Sequence, residues 1–281
     1  MATYGVILPI VQSKCLLFGT TPLLLDADAT VRTIKSEHVG AILAHRKGLS
    51  EEVNPKAKCL LLNHGTTPPS KEPVFDKALA AAFAMNVFSG GGSISFRRAF
   101  FFRYTRAHSI QDIADVPYAS NGTGNNFKFD SSATVDTVAA LFGGTLQAIQ
   151  KDQSLRISLR RFNSAVSKPG LEDKVIDLAI SLESIFSSMS EISFRFSLYN
   201  SLLSGGDAAS KANSFKRLKK LYDYRSKIVH GAVPPESQWL DQNWEALVKI
   251  AKLSLVAKIG FLEHHVPAEW QAHLDSLALG S

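Results

Sequence analysis

Leu221-Tyr222-Asp223-Tyr224-Arg225-Ser226-Lys227-Ile228-Val229-His230-Gly231 ends a strongly basic segment. The spacing predicts the last turns of an amphipathic helix from Ala208 to Val229, stopped by Gly231 and by Pro234-Pro235 just beyond. Its expected apolar seam is Phe215, Leu218, Leu221 with Tyr222, then Ile228 with Val229. Arg225 falls on that seam, an expensive place for a charge unless it is paired. From Lys211 to Lys227 the helix carries seven basic residues (Lys211, Lys216, Arg217, Lys219, Lys220, Arg225 and Lys227) against one acid, Asp223. Such a face is either a solvated surface or a polyanion-binding one.

Working outward from this helix, the sequence after Ser131 reads as helical. Val135 to Gln150 and Leu155 to Val166 predict two helices, with Asp152 or Ser154 as N-cap between them. Gly143-Gly144 weakens the first of these. Pro169-Gly170 then precedes a regular helix in which Leu171, Val175, Leu178, Ala179, Leu182, Ile185, Phe186 and Met189 recur at helical steps. Glu172 and Asp173 sit in its first turn, where the helix dipole favours them. Glu183 lies at the edge of that stripe and is the expected partner of Arg225, as a structural salt bridge or as part of a functional pocket. A shorter helix from Glu191 to Leu203 ends at Gly205-Gly206, and a last one spans Leu240 to His264. Five or six helices with short connections predict an all-α bundle over residues 133–281.

Residues 1–132 read differently. β-prone runs (Tyr4 to Ile10, Leu23 to Leu25, Thr30 to Ile34, Lys58 to Leu62, Ser93 to Tyr104) alternate with turn clusters at Gly65-Thr66-Thr67-Pro68-Pro69, Gly90-Gly91-Gly92 and Asn121 to Asn126. One alanine-rich helix is expected from Pro73 to Phe88. The fold class is therefore an α+β N-terminal domain, a candidate sensor or specificity domain, followed by a helical bundle.

The composition is that of a folded globular chain: 281 residues, 45% hydrophobic, 20% charged. The net charge of +6 suits a polyanionic partner. Two cysteines, Cys15 and Cys59, make neither a disulfide framework nor a four-cysteine zinc site, and read as thiols in a reducing compartment. The first 17 residues lack the basic region of a signal peptide, and the longest apolar run, Ala78 to Met85, is far too short to span a bilayer. The expectation is a soluble, cytoplasmic protein with no membrane association.

Histidine, unperturbed, exchanges protons near neutral pH, and the forked guanidinium of arginine is suited to gripping phosphate. The bare Arg-x-x-x-x-His spacing is unspecific; it recurs at Arg103 and His108 in a strand-like region. What distinguishes the Arg225–His230 copy is context. Tyr-x-x-Arg-Ser-x-x-Val-His-Gly, from Tyr222 to Gly231, resembles the signature of HEPN domains, specifically the Apea-like branch. Asp177 to Glu183 and Leu159-Arg160-Arg161-Phe162 are similar to that family's upstream segments. The resemblance covers about residues 135–265. It implies a helical bundle that dimerises and brings two Arg-x(4–6)-His motifs into one composite site. It further implies a metal-independent endoribonuclease of phage-defence or toxin–antitoxin systems, needing no cofactor, with RNA as substrate and an antitoxin or regulatory partner. Some HEPN domains are inactive, so a non-catalytic dimerisation or nucleic-acid or nucleotide-binding module remains the alternative.

On this reading Arg225 and His230 are catalytic, Ser226, Tyr222 and Glu183 support them, and Lys216, Lys219, Lys220 and Lys227 bind RNA. Positions five apart on a regular helix point about 140° from each other. Arg225 and His230 therefore meet on one phosphate only if the helix unwinds at His230-Gly231 or a second subunit contributes; both are expected.

Other signals point to structure. Gly90-Gly91-Gly92-Ser93 lacks the lysine of a phosphate-binding loop, and Asn63-His64-Gly65 reads as a turn. His264-His265 face different sides of a helix and make a poor metal pair. Phe100 to Tyr104 reads as a buried strand flanked by Arg97, Arg98, Arg103 and Arg106.

Overall fold

A computed structural model describes residues 2–10, 15–16, 22–46, 53, 57–105, 110–118, 127–186, 191–231 and 237–280. The cluster 121–126, Pro234-Pro235, Met189, Arg106, His108 and the Cys15 side chain lie outside that description. The chain divides into two compact units, Met1–Leu146 and Gln147–Ser281.

In the first unit the elements are β1 (Thr3–Pro9), β2 (Cys15–Leu16), β3 (Leu23–Leu24), β4 (Ala29–Thr33), α1 (Ser36–His45), β5 (Lys58–Gly65), α2 (Lys71–Val87), β6 (Ser89–Gly91), β7 (Arg98–Tyr104), β8 (Ile110–Pro117) and β9 (Phe127–Phe129). Six strands form an antiparallel sheet in the order β3-β4-β5-β1-β7-β8; β2, β9 and β6 form a small mixed sheet in which β2 runs parallel to β9 and β6 antiparallel to it. Successive strand residues point to opposite faces. Val6, Leu8, Leu60 and Leu62 accordingly share one core with Val74, Ala78 and Ala81 of α2, whereas Ile7, Cys59, Phe100 and Phe102 share another with Val39 and Ile42 of α1. Both faces of the sheet are covered, which is why β1 and β5 read as continuous apolar runs rather than alternating ones.

This unit is α+β, as the composition of its segments implied, with several local corrections. Helix α1 was not anticipated: Gly40 and β-branched Val39 and Ile42 make a weak local helix, and docking of Val39 and Ile42 on the sheet supplies its stability. Only Arg98–Tyr104 of the Ser93–Tyr104 run is strand, because the Asn86 side chain takes the Ile94 N–H (2.6 Å) and donates to the Ile94 carbonyl (3.1 Å). Asn63-His64-Gly65 belongs to β5, with Gly65 at φ 56°. Gly90 lies in β6 rather than in a turn, and a Cβ there would come within 3.0 Å of the Asp130 backbone. Edge strand β8 was missed because its side chains are largely exposed or half-exposed and show no apolar alternation.

The second unit is helical. Helix α3 (Val135–Lys151) carries the chain into it, its Val138 and Phe142 belonging to the first unit's core. Then follow α4 (Gln153–Ser167), α5 (Leu171–Glu183), α6 (Ile192–Leu203), α7 (Ala208–Val229), α8 (Ser237–His264), a 3-10 turn (Pro267–Glu269) and α9 (Trp270–Leu279). Asp152 caps α4, accepting from the N–H groups of Ser154 (2.8 Å) and Leu155 (3.2 Å). Helices α4 and α5 approach closely through two small residues: the Ser181 hydroxyl donates to the Ser158 carbonyl (2.8 Å) and the Ser158 hydroxyl to the Ser181 carbonyl. Buried Asp177 of α5 accepts ion pairs from Arg161 (2.7 Å) and Lys168 (2.6 Å).

One expectation fails here, and one element is new. Helix α5 stops at Glu183 instead of continuing toward Met189, because the Ile185 carbonyl is taken by Trp270 Nε1 (2.7 Å) and Lys258 Nζ (3.1 Å). Helix α9, unforeseen, supplies that tryptophan, and its Leu274 packs with Tyr199 and Phe186. No helix among the described residues is long and apolar enough to cross a membrane.

Candidate functional site

Helix α7 ends where its sequence says it should. Asp207 caps its start, accepting from the Ser210 N–H (2.8 Å). At the other end the His230 N–H reaches the Ser226 carbonyl (3.1 Å) and the Gly231 N–H reaches the Ile228 carbonyl (3.1 Å). Gly231 sits at φ 70°, the left-handed conformation that glycine adopts at least cost.

The rotation of α7 differs from the expected seam. Its buried residues are Ser214, Leu218, Leu221 and Tyr224, while Tyr222 is half-buried and Val229 is 53% exposed. Tyr224 takes the core position because its ring meets the edge of Trp239 at 5.3 Å. Lys220 follows it inward, its ammonium lying 4.4 Å from the Trp239 ring centre and 5.6 Å from that of Tyr224. Arg217 is also engaged, donating from Nε to the Asn243 side-chain oxygen at 3.0 Å.

Arg225 and Glu183 are brought together as anticipated, though half-buried rather than sealed: Nη2 and Oε2 are 3.7 Å apart, with side-chain exposures of 26% and 30%. The guanidinium carbon lies 5.7 Å from the centre of the Tyr222 ring, which in turn packs on buried Phe196 at 5.3 Å. Burial, and then the Glu183 carboxylate, push the Tyr222 hydroxyl above the ordinary tyrosine value; Arg225 offsets part of this. At 3.7 Å the ion pair is too long to be a hydrogen bond. Arg225 Nε is buried with no partner, and among the described residues the guanidinium, which has five N–H donors, donates no hydrogen bond.

His230 stands exposed at the helix end and Ser226 is half-buried one turn before it. Lys216, Lys219 and Lys227 are exposed and, among the described residues, make no ion pair. The side chains thus divide into two groups: Arg225 with Glu183, Tyr222 and Phe196, and His230 with the lysines on the exposed face. Phe196, Trp239 and Asn243 were not anticipated; their aromatic or amide character was legible, but not which helix they would meet. Chemically, the first group presents a loosely held cation to an anion, and the second a histidine able to move a proton.

Among the described residues no three His, Cys, Asp or Glu side chains cluster as metal ligands would. No family model matches this chain, and no curated protein or solved structure matches it.

Proposed function

We propose that this chain is a metal-independent endoribonuclease of HEPN type, acting as a homodimer whose composite site cleaves RNA, in a phage-defence or toxin–antitoxin setting. One observation carries the reading: Arg225 is a half-buried guanidinium whose nearest anion is a carboxylate 3.7 Å away and which donates no hydrogen bond among the described residues. A cation placed at that cost and left unsatisfied is suited to an incoming phosphate, which it can grip through two parallel N–H bonds. The resemblance of Tyr222–Gly231 to the HEPN signature supplies the second component, His230.

In the reaction His230 takes the proton from a ribose 2′-hydroxyl as its oxygen attacks the adjacent phosphorus. Arg225 neutralises the charge that grows on the phosphorane oxygens. The bond from phosphorus to the 5′ oxygen breaks, and that oxygen leaves with the proton His230 has carried. The products are a 2′,3′-cyclic phosphate and a 5′-hydroxyl, and DNA is refused because it lacks the nucleophile. Tyr222 and Glu183 hold the guanidinium in place, and Ser226 orients the phosphate.

The test is incubation of the purified chain with labelled RNA in EDTA beside His230→Ala and Arg225→Ala. Cleavage by the wild type that falls about 10²–10⁴-fold in the histidine variant and about 10²–10³-fold in the arginine variant is the expected result. Cleavage undiminished in both variants would overturn the assignment. Binding of RNA with no cleavage by any of the three proteins would favour a non-catalytic module.

A further inference from the structure

His230 and Arg225 leave α7 in different directions, and what surrounds His230 on its own face has a consequence for substrate binding. On a regular helix Lys216, Lys219, Asp223, Lys227 and His230 fall within about 80° of one another, and Arg225 points to the other side. Their burial agrees: all five residues of the stripe are exposed, while Arg225 is half-buried against Glu183. The stripe runs from the middle of α7 to its end, about 21 Å of helix axis between Lys216 and His230.

Its charge is not cancelled. Asp223 lies between Lys219 and Lys227, four residues from each, yet among the described residues it pairs with neither. Of the basic residues first counted on this helix, Lys220 lies over Trp239, Arg217 is engaged by Asn243 and Arg225 faces Glu183. The three lysines still exposed are the three that share a face with His230.

We infer that this face of α7 is a phosphate track: Lys216, Lys219 and Lys227 bind the RNA flank on one side of the scissile bond and deliver the strand to His230. The inference rests on the nuclease reading for the identity of His230, but not for the binding itself. A lysine ammonium is a mobile point charge that follows a backbone without reading its bases. The track therefore binds single-stranded RNA with little sequence preference and with the salt dependence of counterion release.

The experiment measures binding of the full chain to fluorescently labelled single-stranded RNA in which every ribose is 2′-O-methylated, so that cleavage cannot occur, across a series of salt concentrations. Lys216→Ala, Lys219→Ala and Lys227→Ala are combined in one variant; alanine preserves helix propensity, and circular dichroism checks the fold. A charge-matched control combines Lys71→Ala, Lys128→Ala and Lys249→Ala, all at exposed positions elsewhere. At about 0.7 per phosphate neutralised on a single strand, loss of three contacts lowers the slope of log affinity against log salt by about 2. We expect that drop in the track variant and no such drop in the control. An unchanged slope in the track variant, equal drops in both, or binding of polyglutamate as tight as that of RNA would each overturn the track. If the track holds while unmodified RNA stays uncut, the nuclease reading falls alone; if RNA is cut while the slope is unmoved, the track falls alone.

Discussion

Two cations of the helical unit, Lys258 and Arg225, are held in opposite ways. Lys258 is almost wholly buried, with Asp152 at 2.7 Å, the Ser154 hydroxyl at 3.2 Å and the Ile185 carbonyl at 3.1 Å. Burial tends to raise the Asp152 carboxyl, but the lysine, the Ser154 hydroxyl and the Leu155 N–H outweigh it and hold it below the usual carboxylate range. A buried pair is costly to break by halves, since the remaining charge keeps its desolvation and loses its partner. Lys258→Met should therefore lower stability by about 3–5 kcal/mol in denaturant unfolding; a loss under 1 kcal/mol would mean that the pair is hydrated. Arg225 has no comparable set of acceptors among the described residues. Glu183→Gln removes its only ion-pair partner among the described residues, at a cost of about 0.2–1 kcal/mol for a pair this exposed. Its effect on cleavage should exceed that of Glu245→Gln on an exposed face of α8, because Arg225 is freed to leave its position. Equal rates in the two variants would remove Glu183 from the site.

At the scale of elements, α1 is the part of the first unit most dependent on titratable contacts. At its start, buried His38 shares a hydrogen bond with the Tyr104 hydroxyl (2.8 Å) and meets Phe102 edge to face. At its end, His45 and Arg46 reach Asp115 of β8, which Arg98 of β7 also holds at 2.5 Å. Burial lowers the His38 pKa, with Lys35 and Arg32 adding to the effect and Glu37 opposing it. The unfolded chain then binds the extra proton first, so stability is full above the ordinary histidine value of about 6.5 and is lost as pH falls below it. Asp115 has the same sign at more acid pH. Burial pulls its carboxyl upward, yet hydrogen bonds from Arg98 and His45 and the charge of Arg46 leave it depressed. Its contribution is present above the ordinary carboxylate value and disappears below it. Hydrogen-exchange protection factors across Ser36–His45, corrected for the base-catalysed intrinsic rate, should fall from pH 7 to pH 5.5, and His38→Gln should flatten that dependence. A profile in which α1 is most protected at pH 5.5 would refute the assignment.

On a regular helix positions five apart diverge by about 140°, and α7 stays helical up to Val229, so a site using both Arg225 and His230 is expected to draw them from two copies. Light scattering should give the mass of a dimer at micromolar concentration. Arg225→Ala and His230→Ala, each inactive alone, should recover part of the cleavage when mixed and allowed to exchange, because the mixed dimer keeps one intact arginine and one intact histidine. Activity that stays absent, with exchange verified, would place the two groups in independent roles.

What could be read from residues alone was whatever neighbours in the chain decide. The Asp152 cap, the Pro169-Gly170 break, the Gly205-Gly206 and Gly231 stops and the length of α7 are settled by a few adjacent side chains, and all were legible. The Glu183–Arg225 pairing was legible because two charges stood on apolar stripes that had to meet. Helix α1, strand β8 and helix α9 were not, since each is held by partners distant in sequence: the sheet, the β7 edge, and the Ile185 carbonyl. The same reason governs the candidate site. The sequence identified the basic residues of α7, but the packing of Tyr224 and Lys220 on Trp239 decided which cations turn inward and which share an exposed face with His230. Rotation of a helix about its axis is set by what packs against it, and no local pattern encodes that partner.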